Sequence, residues 1–130
     1  MILLDTHVAV WLATANKVLG SQSHKLILEA REENQLSVSA VSFWEIALLV
    51  SKDRLDLSRD PFRLRKEFLD TGVMELPLSG DIAMLAVGLE GLHADRFIVA
   101  TAIAHGATLM TADRRLLRRR HSLRRQNAET

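Results

Sequence analysis

The sequence predicts an α/β fold in which helices cover both faces of a mostly parallel central sheet. Four short apolar segments, at residues 1–5, 36–39, 73–76 and 107–111, have the composition of strands, and helical patterns separate them. Strands that alternate with helices are typical of parallel sheets, because each parallel connection needs a long crossover. A chain of 130 residues that is 48% hydrophobic is long enough for one domain with its own core.

The first predicted strand begins at the start of the sequence and ends at an acid. Ile2, Leu3 and Leu4 form an uninterrupted apolar run, which is typical of a strand buried on both faces. Asp5 follows directly and would lie at the carboxyl end of that strand, the edge where α/β sheets bind their ligands. Asp5 is also a suitable N-cap for the helix that follows, so capping alone is an alternative explanation for this residue.

Helical periodicity connects the strands. The predicted helices span about residues 7–14, 22–33, 41–50, 60–70, 82–89 and 96–105, and a last short helix begins near residue 112. The third helix has two candidate caps, Ser39 and Ser42, and Ser42 with Glu45 has the spacing of a capping box. Gly72 and Gly106 follow two of the helices, and both are predicted to be C-caps.

Four acids lie at the end of a predicted strand or near the start of a predicted helix: Asp5, Glu45, Asp95 and Asp113. Such positions lie near one edge of a parallel sheet, so the four carboxylates are predicted to converge on one pocket. Capping is the alternative for Asp5, Asp95 and Asp113, since aspartate is a preferred N-cap. Glu45 has apolar neighbours one turn away on both sides, and an acid there is rarely buried without a partner, which could also be an arginine.

Carboxylates that share a pocket raise one another's pKa, and a divalent cation would relieve this repulsion. Oxygen ligands suit Mg²⁺ or Mn²⁺, ions that keep bound waters and also bind substrate phosphates. The pattern therefore indicates phosphoryl chemistry, in which the ion polarises the phosphate and activates a water. The chain has no cysteine and its histidines lack paired spacing, so we predict no zinc site. His7 and His93 flank the acids and could contact substrate, but we expect them at the surface or in loops.

The net charge of +1 conceals an uneven distribution. Residues 114–130 contain seven arginines and one acid, which gives +6, whereas residues 1–113 carry −5. A basic tail could contact RNA phosphates or form a solvated terminus, and we expect the second.

No apolar run approaches the roughly 20 residues of a membrane span. We expect a cytoplasmic protein with no membrane contact, because there is also no basic leader and no cysteine.

Four segments of the sequence resemble, in order and separation, those of PIN-domain proteins of the VapC toxin type. They are Leu4–Leu12 (LDTHVAVWL), Ser39–Ile46 (SAVSFWEI), Asp95–Ala102 (DRFIVATA) and Thr108–Asp113 (TLMTAD), and the resemblance extends from residue 2 to about residue 117. It implies a compact three-layer α/β/α PIN fold and a Mg²⁺- or Mn²⁺-dependent endoribonuclease, the toxin of a type II toxin–antitoxin system. It also implies a homodimer and a cognate antitoxin that inserts into or covers the acidic pocket.

The same resemblance assigns roles to individual residues. The acids that match the family's metal site are Asp5, Glu45, Asp95 and Asp113, and Thr111 matches a residue that supports this site by hydrogen bonding.

Two features depart from the family pattern. The segment His93-Ala94-Asp95-Arg96 is shorter than usual, so we expect a tighter loop at the rim of the pocket. The family usually ends with an apolar fifth strand, but after Leu117 the only large apolar residue is Leu123. We therefore expect the last edge strand to be missing or short, with a PIN-like nuclease domain over residues 1–117 and a basic, arginine-rich tail over residues 118–130.

Two other functions remain open at this point. The chain could be a non-catalytic PIN-fold module that binds RNA or a partner protein, although all four acids are present. It could also be a phosphatase of the haloacid-dehalogenase type, but such enzymes usually have a second acid two residues after the nucleophilic aspartate, and position 7 is histidine. The sequence does not predict which RNA would be cleaved.

Overall fold

The computed structural model describes residues 1–89, 95–118 and 123–130. Its strands are β1 (Ile2–Leu4), β2 (Leu36–Ser39), β3 (Met74–Leu76), β4 (Thr108–Thr111) and β5 (Arg124–Asn127). They form one parallel sheet in the order β3-β2-β1-β4-β5. The predicted α/β class, with a parallel sheet between two layers of helices, is confirmed.

Seven helices connect the strands in the described part of the chain. They are α1 (Thr6–Ala13), α2 (Ser21–Glu32), α3 (Ala40–Ser51), α4 (Pro61–Asp70), α5 (Gly80–Ala86), α6 (Asp95–His105) and α7 (Arg114–Arg118). All predicted helices are therefore present, with small differences at their ends. Measured against membrane thickness, no helix in the described ranges is both long and apolar enough to cross a bilayer.

The central strand β1 carries the core on both of its faces. Leu4 packs in a hydrophobic cluster with residues of α1, α2 and α3, and Leu3 packs in a second cluster with residues of α6 and α7. Both leucines are fully buried. In register, Leu3 lies between Ser37 of β2 and Leu109 of β4. The uninterrupted apolar run at the start of the chain is explained by this two-sided burial.

Five helices end in the same hydrogen-bonded turn. The residue after the C-cap has a positive φ, and the next N–H donates to the carbonyl five residues earlier, as in a Schellman motif. In these five turns, the residues with positive φ are Ala15, Asn34, Asp53, Gly72 and Gly106. The predicted C-caps Gly72 and Gly106 occupy this αL position, which a residue without a side chain adopts easily.

The end of the chain joins the sheet, contrary to the expectation of a solvated tail. Strand β5 pairs with β4 over all four of its residues, so the edge strand is short but not missing. Leu123 and Ala128, on either side of β5, are buried, and the hydroxyl of Ser23 on α2 donates to the carbonyl of Asn127. An edge strand needs only backbone pairing on one side, so its arginine and amide side chains can remain partly exposed.

Several expectations concern residues 90–94 and 119–122, which lie outside the described residues. They include the shortened loop before Asp95, the position of His93 and the first part of the basic tail.

Candidate active site

The order of the strands reverses between β1 and β4. From β1 the chain winds through β2 and β3 on one side, and β4 and β5 lie on the other side. In open α/β sheets, ligands bind in the crevice at the carboxyl ends of the strands where the order reverses. Asp5 directly follows β1 and Thr111 ends β4, so both lie at this crevice.

Asp5 is held at the crevice by hydrogen bonds to both carboxylate oxygens. Its Oδ1 accepts the N–H of Thr6 at 2.8 Å, which makes it the N-cap of α1, and its Oδ2 accepts the hydroxyl of Thr111 at 2.7 Å. The Thr111 Oγ1 also accepts the N–H of Asp113 at 3.0 Å. Asp5 is therefore both a cap and a member of the predicted site, and Thr111 connects it to the loop that carries Asp113.

Glu45 is tied to the same crevice through Thr6. The Thr6 Oγ1 lies 3.0 Å from Glu45 Oε1 and 2.9 Å from the hydroxyl of Ser42. An ionised carboxylate only accepts hydrogen bonds, so Thr6 donates to Glu45 and accepts from Ser42. The cap of α3 is Ser39, whose hydroxyl accepts the N–H of Val41, so the capping box proposed for Ser42 and Glu45 does not form.

The charges of the four acids are coupled. Burial raises the pKa of Glu45, the hydrogen bond from Thr6 opposes this shift, and the charges of Asp5 and Asp95 add to it. Burial also raises the pKa of Asp95, as do the charges of Asp5 and Asp113. We call Asp5, Glu45, Asp95 and Asp113 the acidic cluster.

Asp113 differs because it has a cation beside it. Burial raises its pKa, but hydrogen bonds from Arg115 and from backbone N–H groups outweigh this effect and lower it. The Arg115 N–H donates to Asp113 Oδ1 at 2.8 Å, which places Asp113 before α7 as a cap, and the guanidinium lies 3.3 Å from Asp113 Oδ2. The same guanidinium is 3.9 Å from Asp95, so it contacts the edge of the acidic cluster.

His7 lies in α1 beside the acidic cluster rather than in a loop, and its side chain is 37% exposed. Its Nε2 accepts the N–H of Ala112 at 3.0 Å, and its Nδ1 is 3.6 Å from Asp5 Oδ2. Because Nε2 accepts a hydrogen bond, the neutral ring carries its proton on Nδ1, which faces Asp5. His7 thus joins α1 to the loop after β4.

The donor set fits a hydrated hard cation better than a closed metal cage. In the described part of the chain, no three carboxylate or imidazole side chains are close enough together to hold one ion alone. Mg²⁺ does not need such a group, because it usually keeps several waters and binds one or two carboxylates together with substrate phosphates. Repulsion between carboxylates with raised pKa values would be relieved by such an ion, so these residues fit Mg²⁺ or Mn²⁺.

A pocket of about 260 Å³ opens beside the acidic cluster. Asp5, Glu45 and Asp95 line one part of it, and the remaining lining comes from α1 and from the end of α3 with the turn after it: Thr6, His7, Val10, Trp11, Leu49, Arg54 and Leu55. The pocket therefore combines carboxylates, an aromatic ring and an arginine.

The structure brings together all four acids that the sequence predicted, and Thr111 with them. Sequence reasoning did not single out Thr6 or Arg115. Thr6 and Arg115 lie within two residues of predicted acids, so proximity in sequence was an available signal, but their contacts depend on how α1 and α7 are oriented.

Comparison with known families and proteins identifies the type of domain. Residues 2–121 match the PIN domain family. The chain is 37% identical over 124 residues to "Ribonuclease VapC22" from Mycobacterium tuberculosis (strain ATCC 25618 / H37Rv), and the alignment covers 92% of each protein.

Solved structures have the same fold. VapBC2 from Rickettsia felis, bound to a DNA fragment from their promoter, matches with a TM-score of 0.72 at 19% identity over 98% of each chain. FitAB bound to an IR36 DNA fragment matches with a TM-score of 0.57 at 25% identity, covering 87% of this chain and 85% of the other. FitAcB from Neisseria gonorrhoeae gives 0.53 at 23% identity, covering 87% and 88%.

Proposed function

This chain belongs to the PIN-domain family, and we propose that it is a metal-dependent endoribonuclease, the toxin of a toxin–antitoxin pair. The observation that carries the proposal is the acidic cluster at the carboxyl edge of the sheet, where burial and mutual repulsion raise the pKa of two carboxylates. The 37% identity to a protein named as a ribonuclease supports RNA as the substrate. The reaction is hydrolysis of a phosphodiester bond.

The residues of the acidic cluster have separate roles in this proposal. Asp5, Glu45 and Asp95 hold Mg²⁺ or Mn²⁺, Asp113 completes the site from the side of α7, and Thr111 fixes the orientation of Asp5. When bound, the ion supplies a Lewis acid for the phosphate and a water of lowered pKa. Without an ion, burial raises the pKa of Glu45 and of Asp95, and a bound cation would stabilise the charged form of both carboxylates.

Partners follow from the family as further parts of the proposal. A cognate antitoxin would cover the acidic cluster, and the similarity to FitAB at 25% identity supports such a partner. A homodimer and a cytoplasmic location complete the proposal, since both are typical of VapC-type toxins.

The test is cleavage of a mixed RNA substrate by the purified chain, with Mn²⁺ and with EDTA, by the wild type and by Asp5→Asn. We expect cleavage with Mn²⁺ only, and a loss of at least about 100-fold in Asp5→Asn, because outer partners of metal ligands alone cost 10–100-fold. Asp60→Asn is the matched control, since Asp60 caps α4 through the N–H of Phe62 and lies outside the acidic cluster.

Three results would contradict this function. Equal losses in Asp5→Asn and Asp60→Asn would mean that Asp5 acts only as a helix cap. Intact RNA with folded wild-type protein and Mn²⁺ would favour a non-catalytic module that binds RNA or a protein. Hydrolysis of a small phosphomonoester in place of RNA would instead indicate a phosphatase.

A further inference from the structure

The pocket beside the acidic cluster extends well beyond the carboxylates. Helices α1 and α3 pack against each other, and both begin at the carboxyl edge of the sheet, next to Asp5 and Glu45. At about 1.5 Å of rise per residue, Trp11 lies roughly 9 Å along α1 from Asp5. Arg54 lies in the turn after α3, three residues beyond Ser51. The far part of the pocket is thus formed by residues that hold no place in the acidic cluster.

The position of Arg54 is set by the backbone. Its N–H donates to the carbonyl of Leu49 at 2.9 Å, and Asp53 before it adopts φ 54°, so Arg54 closes the Schellman motif at the end of α3. In the described ranges no carboxylate lies within ion-pairing distance of its guanidinium. Arg54 lies on the wall of a pocket that also contains three acids. The charge of its guanidinium is therefore available to bind an anion.

Trp11 supplies the apolar surface of the same pocket. Its ring contacts the imidazole of His7 edge to face, with centroids 5.1 Å apart. Val10, Leu49 and Leu55 also line the pocket. Proteins that bind single-stranded RNA place unstacked bases against aromatic rings and contact the phosphates with arginine. A volume of about 260 Å³ is below the range of about 300–1,000 Å³ for drug-sized ligands, so it suits one base rather than a longer segment.

We propose that this pocket is a nucleotide subsite. One unstacked base of the RNA lies against Trp11, and the phosphate of that nucleotide farther from the acidic cluster binds Arg54. The near phosphate of the same nucleotide then lies at the acidic cluster. The inference rests on the proposed ribonuclease function and names the part of the substrate that the pocket takes. It also gives a role to the arginine on the wall of a pocket that contains three carboxylates.

The test measures binding without cleavage, with the four nucleoside 3′,5′-bisphosphates as probes, in EDTA and separately in Ca²⁺. The chain has two tryptophans, Trp11 and the exposed Trp44, so each single Trp→Phe variant leaves one reporter. We expect saturable quenching of the fluorescence in Trp44→Phe and none in Trp11→Phe. Quenching of Trp44 instead, or of neither tryptophan by any of the probes, would overturn the proposal.

Arg54→Gln tests the phosphate contact. We expect at least about a fivefold loss of affinity and a weaker dependence on salt, because one phosphate contact is removed. Arg31→Gln, an exposed change of the same charge on α2, is the control and should leave affinity unchanged. An equal loss in both variants would mean that only overall charge matters and would reject the subsite.

The outcome separates this inference from the proposed function. Probe binding at Trp11 in a chain that never cleaves RNA would leave the subsite and reject the nuclease. Metal-dependent cleavage without any response of Trp11 would keep the nuclease and reject the subsite.

Discussion

The two sides of the acidic cluster differ in how their negative charge is balanced. On one side, burial raises the pKa of Glu45 and of Asp95, and the charge of Asp5 adds to both shifts. On the other side, hydrogen bonds that include those from Arg115 outweigh the effect of burial and lower the pKa of Asp113. An added cation gains most where carboxylates are least neutralised. Under the proposed function, we therefore expect Asp5, Glu45 and Asp95 to contribute more to metal affinity than Asp113 does.

The largest effect that tests this difference is on metal affinity. We expect Asp95→Asn to weaken Mn²⁺ binding by about 100-fold or more, and Asp113→Asn by about 10-fold, in the range of a supporting residue. Isothermal titration of Mn²⁺ into each folded variant measures both. Asp81→Asn, an exposed acid in the first turn of α5, serves as the control and should bind as the wild type does. Equal losses at Asp95 and Asp113 would remove the distinction between the two sides.

A smaller effect is expected from the hydrogen bond that joins the two sides. Thr111→Val removes the hydroxyl that donates to Asp5 and accepts from the N–H of Asp113, so we expect RNA cleavage to fall by about 10–100-fold. Thr101→Val is the matched control, since its buried hydroxyl donates only to the carbonyl of Phe97 within α6. A similar loss of cleavage in both variants, at equal thermal stability, would mean that Thr111 is only a core residue.

The strands and helices that the sequence predicted are those whose side chains carry a burial pattern. Strand β1 was predicted because it is buried on both faces, and this requires an unbroken apolar run. Strand β5 was predicted only as missing or short, because its sequence is Arg-Arg-Gln-Asn and its side chains are partly exposed. Its stability comes from backbone pairing with β4 and from the burial of Leu123 and Ala128 at its ends, and neither produces a recognisable pattern within the strand.

The site shows the same division. The four acids could be predicted to converge because strand ends and helix starts meet at one edge of a parallel sheet. The hydrogen bonds from Ser42 through Thr6 to Glu45 could not be predicted. Thr6 is 36 positions from Ser42 and 39 positions from Glu45 in the chain, and these contacts depend on how α1 packs against α3. The spacing of Ser42 and Glu45 favoured a local capping box, and the contact with α1 replaced it.

Stability without metal should also distinguish the two sides, by a few degrees. In EDTA near neutral pH, Glu45→Gln removes a carboxylate that burial and repulsion disfavour but keeps an acceptor for Thr6, so we expect the unfolding midpoint to rise by about 2–4 °C. Asp113→Asn removes the partner of Arg115 and should lower the midpoint by about 1–3 °C. Thermal unfolding followed by circular dichroism measures both changes, and shifts of the same sign would contradict the comparison.

The smallest expected effect is the dependence of this stability on pH. Because the pKa of Glu45 and of Asp95 is raised in the native state, the folded protein binds more protons than the unfolded chain between the ordinary and the raised pKa values. The free energy of unfolding therefore falls as pH rises through that window, whereas the lowered pKa of Asp113 contributes stability that is lost as pH falls. Relative to Glu45→Gln, the unfolding midpoint of the wild type in EDTA should thus decrease by about 2 °C as pH rises from about 4.5 to 7.5. The exposed control Glu29→Gln should have the same pH profile as the wild type. Identical profiles for all three proteins would show that repulsion within the acidic cluster does not affect the free energy of unfolding.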